Sequence, residues 1–167
     1  MWVRSIHAIY NPLMAIKVLN EVLKFSSNAE LCMVGPIKDN TIELINELIF
    51  KWNLQEKVTL TGKLEKKEWI KLSEEYDIFI NTSNFDNLPV SLMEAMALGL
   101  PIITTNVGGI PFLINHNSTG ILVNQNDSDE IVVAVTDLIT QKINGFNLIT
   151  NARNEILNYE KKNIIKI

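Results

Sequence analysis

The sequence has little of what marks a secreted, metal-bound or nucleic-acid-bound protein. It holds one cysteine, Cys32, among 167 residues. No disulfide can close within the chain, and a reducing compartment, the cytoplasm, is expected. Two histidines and one cysteine fall short of a zinc site, so no metal is expected. No apolar run reaches the roughly 18–20 residues that cross a bilayer. The opening, Met1-Trp2-Val3-Arg4-Ser5, does not read as a signal peptide, because Arg4 and His7 interrupt any apolar stretch. Lys and Arg total 15 against 19 Asp and Glu, a formal charge of −4, and form no basic block. Nucleic acid is therefore not an expected partner. What is present is apolar: 47% of residues are hydrophobic and only 20% charged. That balance excludes disorder as the main state, and the length suits one domain.

Short apolar runs alternate with longer segments of helical period. Strands are expected at Met1–Ile6, Leu31–Val34, Val58–Thr61, Asp77–Thr82, Pro101–Thr105 and Gly120–Val123. Between them, Leu13, Ile16, Leu19 and Leu23 mark a helix opened by Asn11-Pro12. Ile42, Ile45, Leu48, Ile49 and Trp52 mark a second, capped by Asp39. Glu65–Tyr76 and Leu88–Leu98 give two more, the latter ended by Gly99. Ile131, Val135 and Leu138 mark a helix capped by Asp127 or Asp129, and Ile149, Ala152, Ile156 and Tyr159 a last one before a fraying tail at 161–167. Alternating strands and helices imply parallel strands joined by right-handed crossovers, with helices on both faces and strands apolar on both sides. The expected fold class is α/β, a doubly wound Rossmann-like parallel sheet of about six strands.

In such a sheet, ligands sit outside the carboxyl ends of the strands. The loop there with most chemistry is Ser83-Asn84-Phe85-Asp86-Asn87-Leu88-Pro89. Asn87 is a candidate cap for the next helix, and the free N–H groups of its first turn would form an anion site. Glu94 is the only charge in that helix. A carboxylate in apolar surroundings needs a partner. Either a backbone N–H or a Lys of the fold satisfies it, or a ligand hydroxyl does, and the residues alone leave both open. Phosphate at the helix start, with hydroxyl groups near Asp86 and Glu94, matches the order sugar, diphosphate, ribose in a sugar nucleotide.

The run FDNLPVSLMEAMALGLPIITTNVGGIPFLI resembles the donor-binding segment of the family-4 retaining glycosyltransferases, which have the GT-B fold. That family carries an acidic residue, seven intervening residues and a Glu, here Asp86 and Glu94. Arg4, Tyr10-Asn11-Pro12, Leu31–Gly35, Val58–Gly62, Tyr76–Ser83, Thr119–Val123 and Asn158-Tyr159-Glu160 extend the likeness through nearly the whole chain. The resemblance implies that residues 1–160 are the C-terminal, donor-binding domain, one half of a GT-B fold, with the N-terminal acceptor domain absent. It casts Arg4 and Asp86 as catalytic: Arg4 neutralising the diphosphate and Asp86 contacting the transferred sugar. Asn87, Leu88, Pro89 and Val90 would offer backbone groups to sugar and phosphate, and Glu94 would bind the ribose. Gly62 and Leu64 would border the base, and Gly35 would allow the donor's close approach. The implied partners are a nucleotide-diphosphate sugar and a hydroxyl acceptor reached through the missing half, through which alone a membrane could be met. No resident cofactor is implied. The isolated chain is expected to bind donor weakly and turn over nothing.

The sequence departs from that pattern twice. Asp86 is one methylene shorter than the family's usual Glu. Ile9 and Tyr10 occupy the stretch where a second phosphate-binding Lys is usual, leaving Lys63 as its candidate substitute. Asp127-Ser128-Asp129 looks like a metal-binding Asp-x-Asp, but its place before a helix makes it an N-cap. Gly108-Gly109 fits either a tight turn or close ligand approach. A nicotinamide oxidoreductase would need Gly-x-Gly-x-x-Gly after the first strand, which is missing. A receiver domain would need an acidic strand end, but Asp77 begins its strand. A GT-B sugar-nucleotide epimerase and a non-catalytic interaction domain are the remaining alternatives.

Overall fold

The structure is a computed structural model. It describes residues 1–162, with side chains described to residue 157. The tail from 163 onward and the side chains of Asn158-Tyr159-Glu160 lie outside that range.

Among the described residues six strands and seven α-helices succeed one another, six of the helices where the periodicity places them. The strands are β1 (Trp2–Val3), β2 (Leu31–Val34), β3 (Val58–Gly62), β4 (Phe79–Asn81), β5 (Ile102–Thr105) and β6 (Ile121–Val123). The helices are α1 (Pro12–Val22), α2 (Thr41–Lys51), α3 (Lys66–Ser73), α4 (Val90–Leu98), α5 (Ile110–Leu113), α6 (Ser128–Ile139) and α7 (Gly145–Lys162). All strand pairs are parallel, in two ladders, β1-β2-β3 and β4-β5-β6. The ladders meet between β1 and β4. The Met1 amino group donates to Ile78 O at 2.7 Å and Ile80 N donates to Met1 O at 2.9 Å. One residue bonding to the two that flank its neighbour is the parallel pattern. The spatial order is thus 3-2-1-4-5-6, and its direction reverses between β1 and β4.

Side chains alternate across the sheet as a period of two demands. Met33, Ile80, Ile103 and Ile121 face a core with Ile16, Leu19, Ile45 and Ile131 from α1, α2 and α6. Phe79 and Ile102 face Leu92, Met96, Ala152 and Ile156 from α4 and α7. Cys32 and Val34 meet Trp69 of α3. Helices therefore cover both faces, as expected.

Several expectations are corrected. The first strand stops at Val3, not Ile6, because the chain turns out of the ladder and touches it again only at the Ile6–Ile37 bridge. The fourth strand keeps only Phe79–Asn81 of Asp77–Thr82. Strand β3 is not apolar on both sides; it is the sheet edge, with Thr59 and Leu60 exposed. Helix α2 begins at Thr41, and Asp39 serves it from outside by accepting from Thr41 N at 3.0 Å. Helix α4 begins at Val90 with Pro89 as its N-cap, so Asn87 is not the cap. A proline lacks the N–H that an interior position needs, and here it stands just outside the helix. In α7 the inward stripe is Leu148, Ala152 and Ile156, with Ile149 only half-buried. Asp127 is the N-cap of α6, accepting from Glu130 N at 3.0 Å.

Candidate functional site

The strand-order reversal places the ends of β1 and β4 side by side, and the site is built from the segments that leave those two strand ends. Trp2 is fully buried, and its Nε1 donates to Thr82 Oγ1 at 2.9 Å. Thr82 Oγ1 lies 2.9 Å from both Tyr10 O and Asn11 O, and its single proton goes to one of them. Asn81 Nδ2 donates to Thr104 Oγ1 at 3.0 Å, Ser83 Oγ to Asn81 Oδ1 at 2.7 Å, and Thr105 Oγ1 to Ser83 O at 2.6 Å. These buried polar groups satisfy one another, as burial requires. They lock the end of β4 to its neighbours, which is why Asn81-Thr82-Ser83 can be polar and still fully enclosed.

Beyond this network the chain turns through Asp86, and Gly108 and Gly109 lie against it. Gly109 N donates to Asp86 O at 2.9 Å. A Cβ on Gly108 would stand 2.0 Å from Asp86 O, and one on Gly109 1.7 Å from Asn87 O. The two glycines are there so that the β5–α5 connection can press on the Asp86 backbone; Gly108 also has φ +55°. Gly35 works similarly on the other side. Its φ is +150°, and a Cβ there would stand 1.9 Å from Arg4 O. The backbone of Arg4, not a ligand, fills the space that Gly35 leaves.

These approaches bring Arg4 and Asp86 together although 82 positions separate them. Arg4 Nη2 donates to Asp86 Oδ2 in an ion pair whose side chains are 18% and 11% exposed. The Tyr10 ring covers the guanidinium, with Arg4 Cζ 5.0 Å from its centroid. Arg4 Nε is buried and has no hydrogen-bond partner among the described residues. Burial pushes the Asp86 carboxyl above its usual range, with the Arg4 charge and hydrogen bond working against that. Tyr10, where a second cation was expected, supplies instead a π-face that steadies the first.

The start of α4 adjoins this pair. Pro89 is buried, while Asn87, Leu88 and Val90 are exposed. The first N–H groups of a helix have no acceptor within it, so this end can take an anion. Glu94 stands four residues into α4, a rise of about 6 Å at 1.5 Å per residue. It is not deeply buried. Its side chain is 21% exposed, and Oε1 lies 2.8 Å from Lys66 Nζ. A Lys of the fold therefore engages one of its oxygens, while Oε2 has no hydrogen-bond partner among the described residues.

Gly35 and Gly62 meet at adjacent strand ends, Gly35 N donating to Gly62 O at 2.8 Å. Gly62 has φ +70°, and a Cβ added to it would meet nothing within 4 Å, so this side faces open space. Leu64 is half-buried beside Val34 and Trp69. Lys63 is exposed and makes no ion pair among the described residues. His7 turns its Nδ1 to Ile9 N at 3.1 Å, and His116 braces its turn by accepting from Leu122 N at 3.0 Å. A cavity of about 410 Å³ opens at the opposite edge of the sheet between Ala15, Val18, Leu31, Ile78 and Val135, away from this chemistry.

Lys66, and Tyr10 as a stacking partner, were not singled out by the sequence; Gly108-Gly109 were, and the backbone of Asp86 and Asn87 takes the space beside them. Lys66 is one of several lysines in a polar stretch, and only its contact distinguishes it.

The family model described as glycosyl transferases group 1 matches residues 3–155. The chain belongs to that family. Among curated relatives, the Escherichia coli UDP-Gal:alpha-D-GlcNAc-diphosphoundecaprenol alpha-1,3-galactosyltransferase is 30% identical over 121 residues, covering 70% of this chain and 30% of that protein. Relatives of this kind are matched over 23–36% of their own length, so the chain spans about a third of them or less. Among solved structures, Anabaena HepE in complex with UDP superposes with a TM-score of 0.85 at 17% identity, covering 94% of this chain and 43% of that one. The C-terminal domain of the glycosyl transferase group 1 protein LpcC from Francisella tularensis gives 0.84 at 19% identity, covering 95% and 84%. The fold matches the Rossmann-like half-domain of GT-B structures.

Proposed function

We propose that residues 1–160 are the donor-binding domain of a family-4 retaining glycosyltransferase, which moves a sugar from a nucleotide diphosphate to a hydroxyl acceptor. The observation that carries this is the convergence of Arg4, Asp86 and the open start of α4 at the β1/β4 reversal, with Glu94 one turn further on. In that reading the diphosphate lies over the α4 N-terminus, where unpaired N–H groups and the Arg4 guanidinium meet its charge. As the sugar departs, the same groups stabilise the negative charge left on the phosphate without having to reorganise. Asp86 accepts from hydroxyls of the transferred sugar, and Glu94 from those of the ribose. The acceptor oxygen bonds to the anomeric carbon on the face from which the diphosphate departs, the hydroxyl proton passing to that phosphate, so the sugar's configuration is kept.

HepE structures with UDP and with UDP-glucose make uridine diphosphate the first ligand to test. Phe85, Leu88, Val90 and Phe112 stand exposed on the segments around Asp86, Phe112 at 92%. Such a rim suits a second half that closes over the donor and brings the acceptor. We place the reaction in the cytoplasm, where a lone buried thiol such as Cys32 stays reduced. Among the described residues no helix is long and apolar enough to cross a membrane.

The test is calorimetric titration of the chain with UDP, GDP and ADP and their sugars. Saturable binding to one base series is expected, with no sugar transfer by the chain alone. Absence of binding to every one of them, or transfer by the unaccompanied chain, contradicts the proposal. Appearance of an epimerised donor with the full-length protein would point to the epimerase instead.

A further inference from the structure

Glu94 is the only charged residue of α4, and Lys66 is the first residue of α3. Their ion pair, 2.8 Å between Nζ and Oε1, ties two crossover helices together at the carboxyl edge of the sheet. The ammonium is the outer partner, 69% exposed, and the carboxylate lies behind it at 21%. An exposed pair of this kind adds little to stability, so the fold does not depend on it. Its geometric effect is larger. A glutamate side chain has several rotamers to choose from, and a fixed cation selects among them. The Lys66 ammonium is itself held more firmly protonated by the hydrogen bond and charge of Glu94.

The donor count leaves room for a ligand. Lysine carries three N–H donors and a carboxylate about four acceptor sites. The pair uses one of each, so Oε2 and a second lone pair on Oε1 stay available while the carboxylate is oriented. Two neighbouring acceptor sites of fixed direction match the two adjacent hydroxyls of a ribose.

We propose that Lys66 is a positioning residue for nucleotide recognition: it holds Glu94 in the orientation that receives both ribose hydroxyls, and so makes the site selective for ribonucleotides over 2′-deoxyribonucleotides. The inference rests on the reading of Glu94 as the ribose ligand. Without Lys66 the carboxylate turns to water, and the hydroxyls lose it. The diphosphate end, built from Arg4 and the α4 start, is untouched.

The experiment measures binding of UDP, GDP and ADP to the chain, each beside its 2′-deoxy form. The wild type should prefer the ribose form of its base by about tenfold, the worth of one charge-assisted hydrogen bond. Lys66→Ala should bring that ratio close to one, weakening the ribose form about tenfold more than the 2′-deoxy form, which loses only its 3′-hydroxyl contact. Lys66→Arg should keep the preference, and so should Lys67→Ala, which removes a neighbouring positive charge without touching Glu94. If Lys66→Ala weakens both forms equally, the lysine acts through overall charge or structure and the proposal is overturned. If Lys66→Ala keeps the ratio while Glu94→Gln abolishes it, Glu94 remains the ribose ligand but the role of Lys66 falls. If Glu94→Gln leaves the ratio unchanged, or no pair binds saturably, the reading of Glu94 itself fails and takes the inference with it.

Discussion

Asp86 and Glu94 stand eight positions apart in the chain, on either side of the start of α4, and are held in different ways. Around Asp86 the main chain is clamped from two sides. Gly109 bonds to its carbonyl, and Gly35 lets the β1 end carrying Arg4 come within reach. Its carboxylate is 11% exposed and meets a guanidinium that is itself capped by Tyr10. Glu94 projects from a regular helix and is 21% exposed, with an exposed lysine as its one partner among the described residues. The first carboxylate is placed by packed backbone, the second by a side chain. Disturbing the first should cost fold stability, whereas disturbing the second should cost recognition only.

The largest effect should come from adding a methyl beneath Asp86. Gly109→Ala would place Cβ 1.7 Å from Asn87 O, and Gly35→Ala would place it 1.9 Å from Arg4 O. Backbone must move in both, and a loss of about 3 kcal/mol is expected from denaturant midpoints. Gly62→Ala meets no atom within 4 Å and carries only its φ of +70°, so it should lose about 1–2 kcal/mol. Equal losses at all three positions would mean that backbone contact does not set the Asp86 region apart.

Arg4→Met should come next, at about 1.5–3 kcal/mol at neutral pH, the cost of stripping a charged hydrogen bond from an enclosed carboxylate. Its pH dependence has a definite sign. Burial already raises the Asp86 carboxyl, and losing Arg4 raises it further. A raised carboxyl favours the protonated folded state, so the variant's deficit should shrink as pH falls through the raised Asp86 value. Urea melts at several pH values would check this; a deficit that grows on acidification would break the account of Asp86.

Glu94→Gln should change stability by no more than about 0.5 kcal/mol, as an exposed pair implies, while reducing nucleotide affinity roughly tenfold. A stability loss comparable to that of Arg4→Met would erase the contrast between the two carboxylates. The smallest effect is expected from salt. Raising ionic strength from 0.1 M to 1 M cuts the screening length from about 10 to 3 Å. The exposed Lys66–Glu94 pair should weaken, and the measurable result is a reduced ribose preference rather than a lower melting temperature.

Much of the framework was readable from local pattern. The second strand was bounded correctly at Leu31–Val34, Gly99 ends α4 with φ +80°, and Asp127 opens α6. Each depends on residues within a turn or two. The errors arose where a distant segment intervened. Strand β1 is short because the ladder ends where Arg4 N donates to Val34 O and pairing returns only at the Ile6–Ile37 bridge. Asn87 is no cap because α4 begins at Val90, with Pro89 in the cap position. Helix α5, four residues with proline in its first turn, is too short to show a period. Arg4, Asp86 and Glu94 could be named as candidates by residue type, and the fold joins Arg4 to Asp86. Which charge answers which was not legible: nothing in a lysine-rich stretch marks Lys66 over Lys63 or Lys67.

The sequence by itself determined an alternating parallel sheet with helices on both faces, since strand and helix periods are properties of neighbouring residues. Only the tertiary structure decided that β1 lies against β4, and therefore that Arg4 faces Asp86 across 82 positions. The bonds that join β1 to β4, from Met1 N to Ile78 O and from Ile80 N to Met1 O, use backbone groups common to nearly all residues, and such groups leave no mark in a sequence until the chain has folded.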